Sequence, residues 1–239
     1  MGKLQPAAVR VRFCRGCRMV LIEASILAAD LMRIGEQIRE AEEAGVDGFQ
    51  IDVMDGHFVS NITFGPDTVR AMRLVSHKFL DVHLMITNPE RYLEVFTDAG
   101  ADRLVVHIEG CLNIHHVLQS IRDLGVEAGV ALNPGTPLCA VEELIGLADV
   151  IQVMTVHPGL GGQKLILSQL DKIRRLRQLL DERGLSTLIA VDGGINTSTA
   201  PEVVACGAKI LVSGTSIYGS PQSVKENVEK LRASVHGCD

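Results

Sequence analysis

Three short stretches carry side chains that could move protons beside a bound cation. The first is Gln50 to Pro66, QIDVMDGHFVSNITFGP, an extended run that stops in a polar, glycine-bearing loop. In a strand the side chains alternate, so Gln50, Asp52 and Met54 share one face while Phe49, Ile51 and Val53 share the other. LDVHLM likewise sets Asp81, His83 and Met85 in phase, and LIAVDGG sets Leu188, Ala190 and Asp192 in phase. Two carboxylates and one imidazole suit Zn, Mn or Fe in a site with three protein ligands and open positions. A lone inward histidine is more often a satisfied core residue, but three such groups at corresponding strand ends reverse that expectation.

Three consecutive loops point to a second kind of ligand. HPGLGGQ (157–163), VDGG (191–194) and SGTS (213–216) each place glycine just after an apolar run. Glycine lets backbone N–H groups approach an anion closely, and a phosphate is the natural occupant of several such loops together. One glycine-rich loop would mean only a turn.

These groups need a scaffold that brings strand ends together. From Met19 onward, short apolar runs alternate with amphipathic ones: VLIEASIL before LMRIGEQIREAEEAG, DGFQIDVM before PDTVRAMRLV, FLDVHLMI before PERYLEVFTDAG. That alternation predicts a parallel sheet covered by helices. Gly45, Gly100, Gly125 and Gly207 follow helical segments and precede strands, where a left-handed cap belongs. Their near-regular spacing leaves room for about eight β/α units, which favours a (β/α)8 TIM barrel over a doubly wound open sheet. Asp52, His83, His107, Asn133, His157, Asp192 and Ser213 then fall at the ends of successive strands two to eight, and the active site belongs at the carboxyl ends of the strands.

Composition narrows the class further. The 239 residues, 46% hydrophobic and 22% charged, suit one well-cored domain, here residues 19–239. Residues 1–18 carry Lys3, Arg10, Arg12, Arg15 and Arg18 without acidic partners and read as a basic N-terminal extension: a disordered tail or a segment ahead of a start at Met19, with a transit peptide the alternative. Cys14 and Cys17 form one CxxC with no second ligand pair nearby. A net charge of −6 argues against a nucleic-acid surface, and no apolar run approaches the ~20 residues that span a bilayer. Six scattered cysteines predict free thiols and a cytoplasmic protein.

The segments ASILAAD (24–30), DVMDGHFVSNITFGP (52–66), DVHLMI (81–86), MTVHPGLGGQ (154–163), VDGGI (191–195) and SGTSIY (213–218) together resemble the ribulose-phosphate 3-epimerase family, over essentially Val20 to Arg232. The resemblance implies a metal-dependent TIM barrel, commonly a homo-oligomer, that interconverts D-ribulose 5-phosphate and D-xylulose 5-phosphate. It makes Asp52 and Asp192 both metal ligands and the two acid-base groups, with His83 a third ligand. Ser25 would contact the sugar, Met54, Met85 and Met154 would pack around the reacting carbons, and Gly161, Gly162, Gly194, Gly214 and Thr215 would hold the phosphate. Inverting a carbon next to a ketone needs a base on one face and an acid on the other, with a cis-enediolate between; the cation stabilises its charge.

One departure touches the chemistry. The family usually has histidine at the position of Gln50, where it completes the metal site. A glutamine oxygen is a harder, weaker donor, so weaker binding and a shift from Zn toward Mn, Fe or Mg are expected. Ala24, Ser60 and Leu160 replace a usual proline, proline and phenylalanine in loops over the substrate. Two alternatives follow: a 3-epimerase of another ketose phosphate, such as D-allulose 6-phosphate, and a non-catalytic phosphosugar-binding barrel.

Overall fold

Between residues 19 and 236, the span that the computed structural model describes, each strand buries two faces in two different places. Strands β1 (Leu21–Ser25), β2 (Gly48–Met54), β3 (Phe79–Met85), β4 (Arg103–His107), β5 (Glu127–Leu132), β6 (Val150–Met154), β7 (Leu188–Asp192) and β8 (Ile210–Ser213) pair in parallel, and β1 also pairs with β8. The sheet is therefore a closed eight-stranded barrel without an edge. The outward phase, such as Phe49, Ile51 and Val53 of β2 and Leu80, Val82 and Leu84 of β3, forms the main core with the buried stripes of the surrounding helices. The basic segment 1–18, with Cys14 and Cys17, lies outside the described residues.

The helices are α1 (Ile34–Glu43), α2 (Pro66–Val75), α3 (Leu93–Ala99), α4 (Ile114–Asp123), α5 (Gln169–Glu182), α6 (Ala200–Ala205), α7 (Thr215–Tyr218) and α8 (Val224–Ser234). The β5-to-β6 crossover departs from the expected alternation, holding a 3-10 turn at Leu138–Ala140 instead of an α-helix. Pro134, Gly135 and Pro137 precede this turn, and proline at the start of a segment is compatible with a helix, so they do not account for its absence. Leu138, Val141, Leu144 and Ile145 still cover that side of the sheet. All four glycines expected to end helices have positive φ. At Gly207, with φ 109°, a Cβ would also stand 2.5 Å from Arg177 Cγ, so conformation and space both demand glycine.

The inward phase stacks in layers. At the amino-terminal end Val150, Ala190 and Ile210 pack with Leu21 and Leu188. Beside them, at the same end of the barrel, lies a charged cluster that the strand reading did not find. Arg103 Nη1 donates to Glu23 Oε1 at 3.1 Å and Asp81 Oδ2 at 2.8 Å, Nη2 donates to Glu127 Oε2 at 3.1 Å, and the guanidinium lies 4.7 Å over the Phe79 ring. The mouth lies above both. Register there sets Asp52 beside His83, Met54 beside Met85, and Met154 beside Asp192.

Candidate active site

Asp52, His83 and Asp192 come from three strands, yet each offers a ligand atom within 4.8 Å of the others. His83 Nδ1 stands 3.0 Å from Asp52 Oδ1 and 3.5 Å from Asp192 Oδ2. Gln50 shares their inward phase and bridges the carboxylates: its Nε2 donates to Asp52 Oδ1 at 2.8 Å and to Asp192 Oδ2 at 3.0 Å. Ser25, at the end of β1, donates its hydroxyl to Asp52 Oδ2 at 2.6 Å. Burial, and then the charge of Asp52, push the Asp192 carboxyl up to about 7, against the opposing pull of His83. Burial pulls His83 down, but its bond to Asp52 and the two carboxylate charges outweigh this and raise it overall.

Behind His83 lies a relay to which no role was assigned from sequence. His83 Nε2 is 2.9 Å from His107 Nε2, and His107 Nδ1 is 3.1 Å from Glu109 Oε2. Glu109 is fixed by the Asn133 N–H at 2.8 Å and by the Thr136 hydroxyl. Burial drives His107 down to about 4, so it is neutral near pH 7. Its single proton on Nδ1, facing Glu109, leaves Nε2 to accept from the Nε2–H of His83. That arrangement leaves Nδ1 of His83 to face the carboxylates, the orientation a metal-ligating imidazole needs. His107 was visible as a strand-end histidine, and its link to Glu109 could have been sought two residues on.

Gln152 was also missed, though the phase argument applied to β6 puts it with Met154 on the inward face. Its Nε2 is 3.2 Å from His83 Nδ1 and 3.3 Å from Asp192 Oδ2. Met54 and Met85 pack with Val59 at one side of the mouth, against Leu27 and Phe58. Buried Met154 lies beside Gln152.

The loops expected to hold phosphate converge. A Cβ at Gly161 or Gly162 would lie 3.7 or 3.9 Å from the Thr215 hydroxyl oxygen, and one at Gly214 would lie 3.3 Å from the Ser25 carbonyl. Gly194 is pressed against the backbone of Leu165, where a Cβ would meet the nitrogen at 2.5 Å. Two members of the strand-end series leave the mouth. His157 sits three residues past β6 and is exposed, while Ser213 turns aside to donate to the Ile195 carbonyl at 3.1 Å.

His57 and Asp55 shape the loop after β2. Asp55 accepts the N–H groups of His57 and Phe58 through Oδ1, and the N–H and hydroxyl of Thr87 through Oδ2, at 2.8–2.9 Å. Burial opposes its ionisation, but these donors outweigh it and hold Asp55 down at about 2. A depressed carboxylate contributes stability that is complete above its unfolded value near 4 and is lost as pH falls toward 2. Solvent reaches this loop and screens the charge, so Asp55→Asn should cost only about 1 kcal/mol in urea denaturation at pH 7 and less near pH 2. An equal loss at both pH values would show that the loop does not depend on the charge.

The family model described as the ribulose-phosphate 3-epimerase family matches residues 21–218. A Bacillus subtilis ribulose-phosphate 3-epimerase is 47% identical over 217 residues, spanning 90% of this chain and all of that protein. The chloroplastic ribulose-5-phosphate-3-epimerase of Arabidopsis thaliana is 43% identical over 90% of this chain and 77% of its own. Among solved structures, 3-keto-L-gulonate-6-phosphate decarboxylase from Vibrio cholerae superposes with a TM-score of 0.69 over 92% of this chain and 98% of its own. At 15% identity, that likeness shows the shared barrel alone. No helix among the described residues is long and apolar enough to cross a membrane.

Proposed function

The chain belongs to the ribulose-phosphate 3-epimerase family and is an isomerase of the epimerase type, and from that premise we propose that it inverts C3 of D-ribulose 5-phosphate to give D-xylulose 5-phosphate. The observation that carries the proposal is the pair Asp52 and Asp192, two inward carboxylates bridged by one amide at the barrel mouth. Epimerisation needs two proton-transfer groups facing opposite sides of one carbon, and this pair supplies them. Asp192 reaches the mouth from β7 and Asp52 from β2, where Ser25 and Gln50 fix its orientation. Backbone at Gly161, Gly162, Gly194, Gly214 and Thr215 would anchor the phosphate, setting C3 between the carboxylates with much of the orientational cost already met.

The donors also fit a divalent cation. Asp52, His83 and Asp192 would hold it, and the buried, unpartnered Gln50 Oε1 offers a further oxygen. When bound, Zn, Mn, Fe or Mg supplies Lewis-acid stabilisation of the charge that develops on the substrate oxygens next to C3. Met54, Met85 and Met154 narrow the mouth and keep bulk water from the reacting carbons.

The test is solvent-deuterium exchange at C3 of D-ribulose 5-phosphate, with epimerisation, in protein reloaded separately with each metal. Exchange and inversion are expected with at least one. Folded, loaded protein that exchanges nothing would overturn the assignment. Faster inversion of D-allulose 6-phosphate would instead replace the substrate while keeping the reaction.

A further inference from the structure

We infer that the side-chain oxygen of Gln152 is, with that of Gln50, a ligand to the cation held by Asp52, His83 and Asp192; this rests on reading that triad as a metal site. Gln152 is fully buried on the inward phase of β6. A buried amide is costly unless its polar atoms are satisfied. Yet Oε1 of Gln152 and Oε1 of Gln50 both lack a hydrogen-bond partner among the described residues. Both side chains line one site, and a cation there would give each oxygen a partner once its amide is turned.

The amide nitrogens mark where those oxygens would go. A carboxamide exchanges its oxygen and nitrogen by turning about its last bond, and the two atoms occupy near-equivalent positions. Gln50 Nε2 lies on the edge between Asp52 Oδ1 and Asp192 Oδ2, at 2.8 and 3.0 Å. Gln152 Nε2 lies on the edge between His83 Nδ1 and Asp192 Oδ2, at 3.2 and 3.3 Å. Its remaining polar neighbours are His83 Nε2 at 3.4 Å and the Met154 sulfur at 3.6 Å, a weak acceptor. Ligands ~2.1 Å from one ion stand ~3.0 Å apart along an octahedral edge and ~3.4 Å apart along a tetrahedral one. The four amide separations, 2.8–3.3 Å, lie near those edges.

The two orientations have opposite logic. With no ion, the amide NH2 groups face the carboxylates and offset their repulsion. With an ion, the oxygens turn inward and the set becomes two carboxylates, one imidazole and two amides, leaving a sixth position for substrate. Such an oxygen-rich set suits Mn, Fe, Co or Mg better than tetrahedral zinc.

The test is binding of Co(II) and Mn(II) to metal-free protein, followed by calorimetry and by the visible absorption of Co(II), for the wild type, Gln152→Leu and Gln152→Glu. One ion per chain is expected, with the weak visible bands of a five- or six-coordinate site. Gln152→Leu should lower affinity roughly tenfold or more and intensify those bands as a ligand is lost. Gln152→Glu, an anionic oxygen at the same place, should tighten binding. It also decides the matter if the leucine variant fails to fold. One bound ion with wild-type affinity and spectrum in either variant overturns the role of Gln152. Folded wild type that binds no divalent ion overturns the triad as a metal site as well.

Discussion

Asp52→Asn and Asp192→Asn are each expected to lower kcat for epimerisation by about 10^3 or more while leaving the barrel folded. The size follows from the double duty proposed for each carboxylate. A positioned acid or base contributes roughly 10^2 to 10^4 in rate, and each aspartate also belongs to the candidate metal triad. Asparagine preserves shape, but at position 52 it cannot accept equally from the Ser25 hydroxyl and the Gln50 amide, which approach different oxygens. To separate acid-base loss from metal loss, the assay is run at saturating metal, following C3 deuterium exchange from each epimer as well as inversion. With two bases on opposite faces, removing one should leave exchange from one epimer and abolish it from the other. Equal residual exchange from both epimers, or near-wild-type turnover in either variant, would sink the two-base assignment.

The same residues show what the sequence could and could not disclose. Period-two alternation was enough to place Gln50, Asp52, His83 and Asp192 on inward faces, because a strand has only two faces and register preserves them. It was not enough to say what those groups touch. The 2.9 Å contact between His83 and His107 depends on how β3 and β4 are staggered, and nothing local records that. Gln152 stood in an apolar run, VIQVM, where one polar residue looks like an exception, although its phase with Met154 was there to be used. The missing helix between β5 and β6 has no local signal, and the regular spacing of units predicts a helix there. Glu23, Asp81, Arg103 and Glu127 each begin or extend an inward phase, and single strands give no hint that four of them meet inside one barrel.

That charged layer carries the largest expected effect on stability: Arg103→Met should cost about 3–5 kcal/mol. Methionine fills much of the space, so the loss is electrostatic in origin. The guanidinium is fully buried and bonds to Glu23, Asp81 and Glu127, and removing it leaves buried Glu23 and Asp81 and half-buried Glu127 without that counter-charge. Burial and neighbouring Asp81 already push Glu23 up to about 8 against the pull of Arg103. Its folded value lies above the ordinary 4.5, so folding takes up a proton between those limits, and the stability tied to this group declines as pH rises through that window. Without Arg103 the decline steepens, because Glu23 loses the charge that opposes its rise and Glu127, already raised by burial, loses the same partner. Urea denaturation of Arg103→Met should therefore show a larger deficit at pH 8 than at pH 6. Arg103→Lys should fall between the two, since an ammonium keeps the charge but cannot reach three carboxylates through a planar fork. A deficit under about 1 kcal/mol, or one that does not change between pH 6 and 8, would mean that water reaches the layer and screens it. The barrel would then owe its closure to the apolar cluster of Val150, Ala190 and Ile210 beside it.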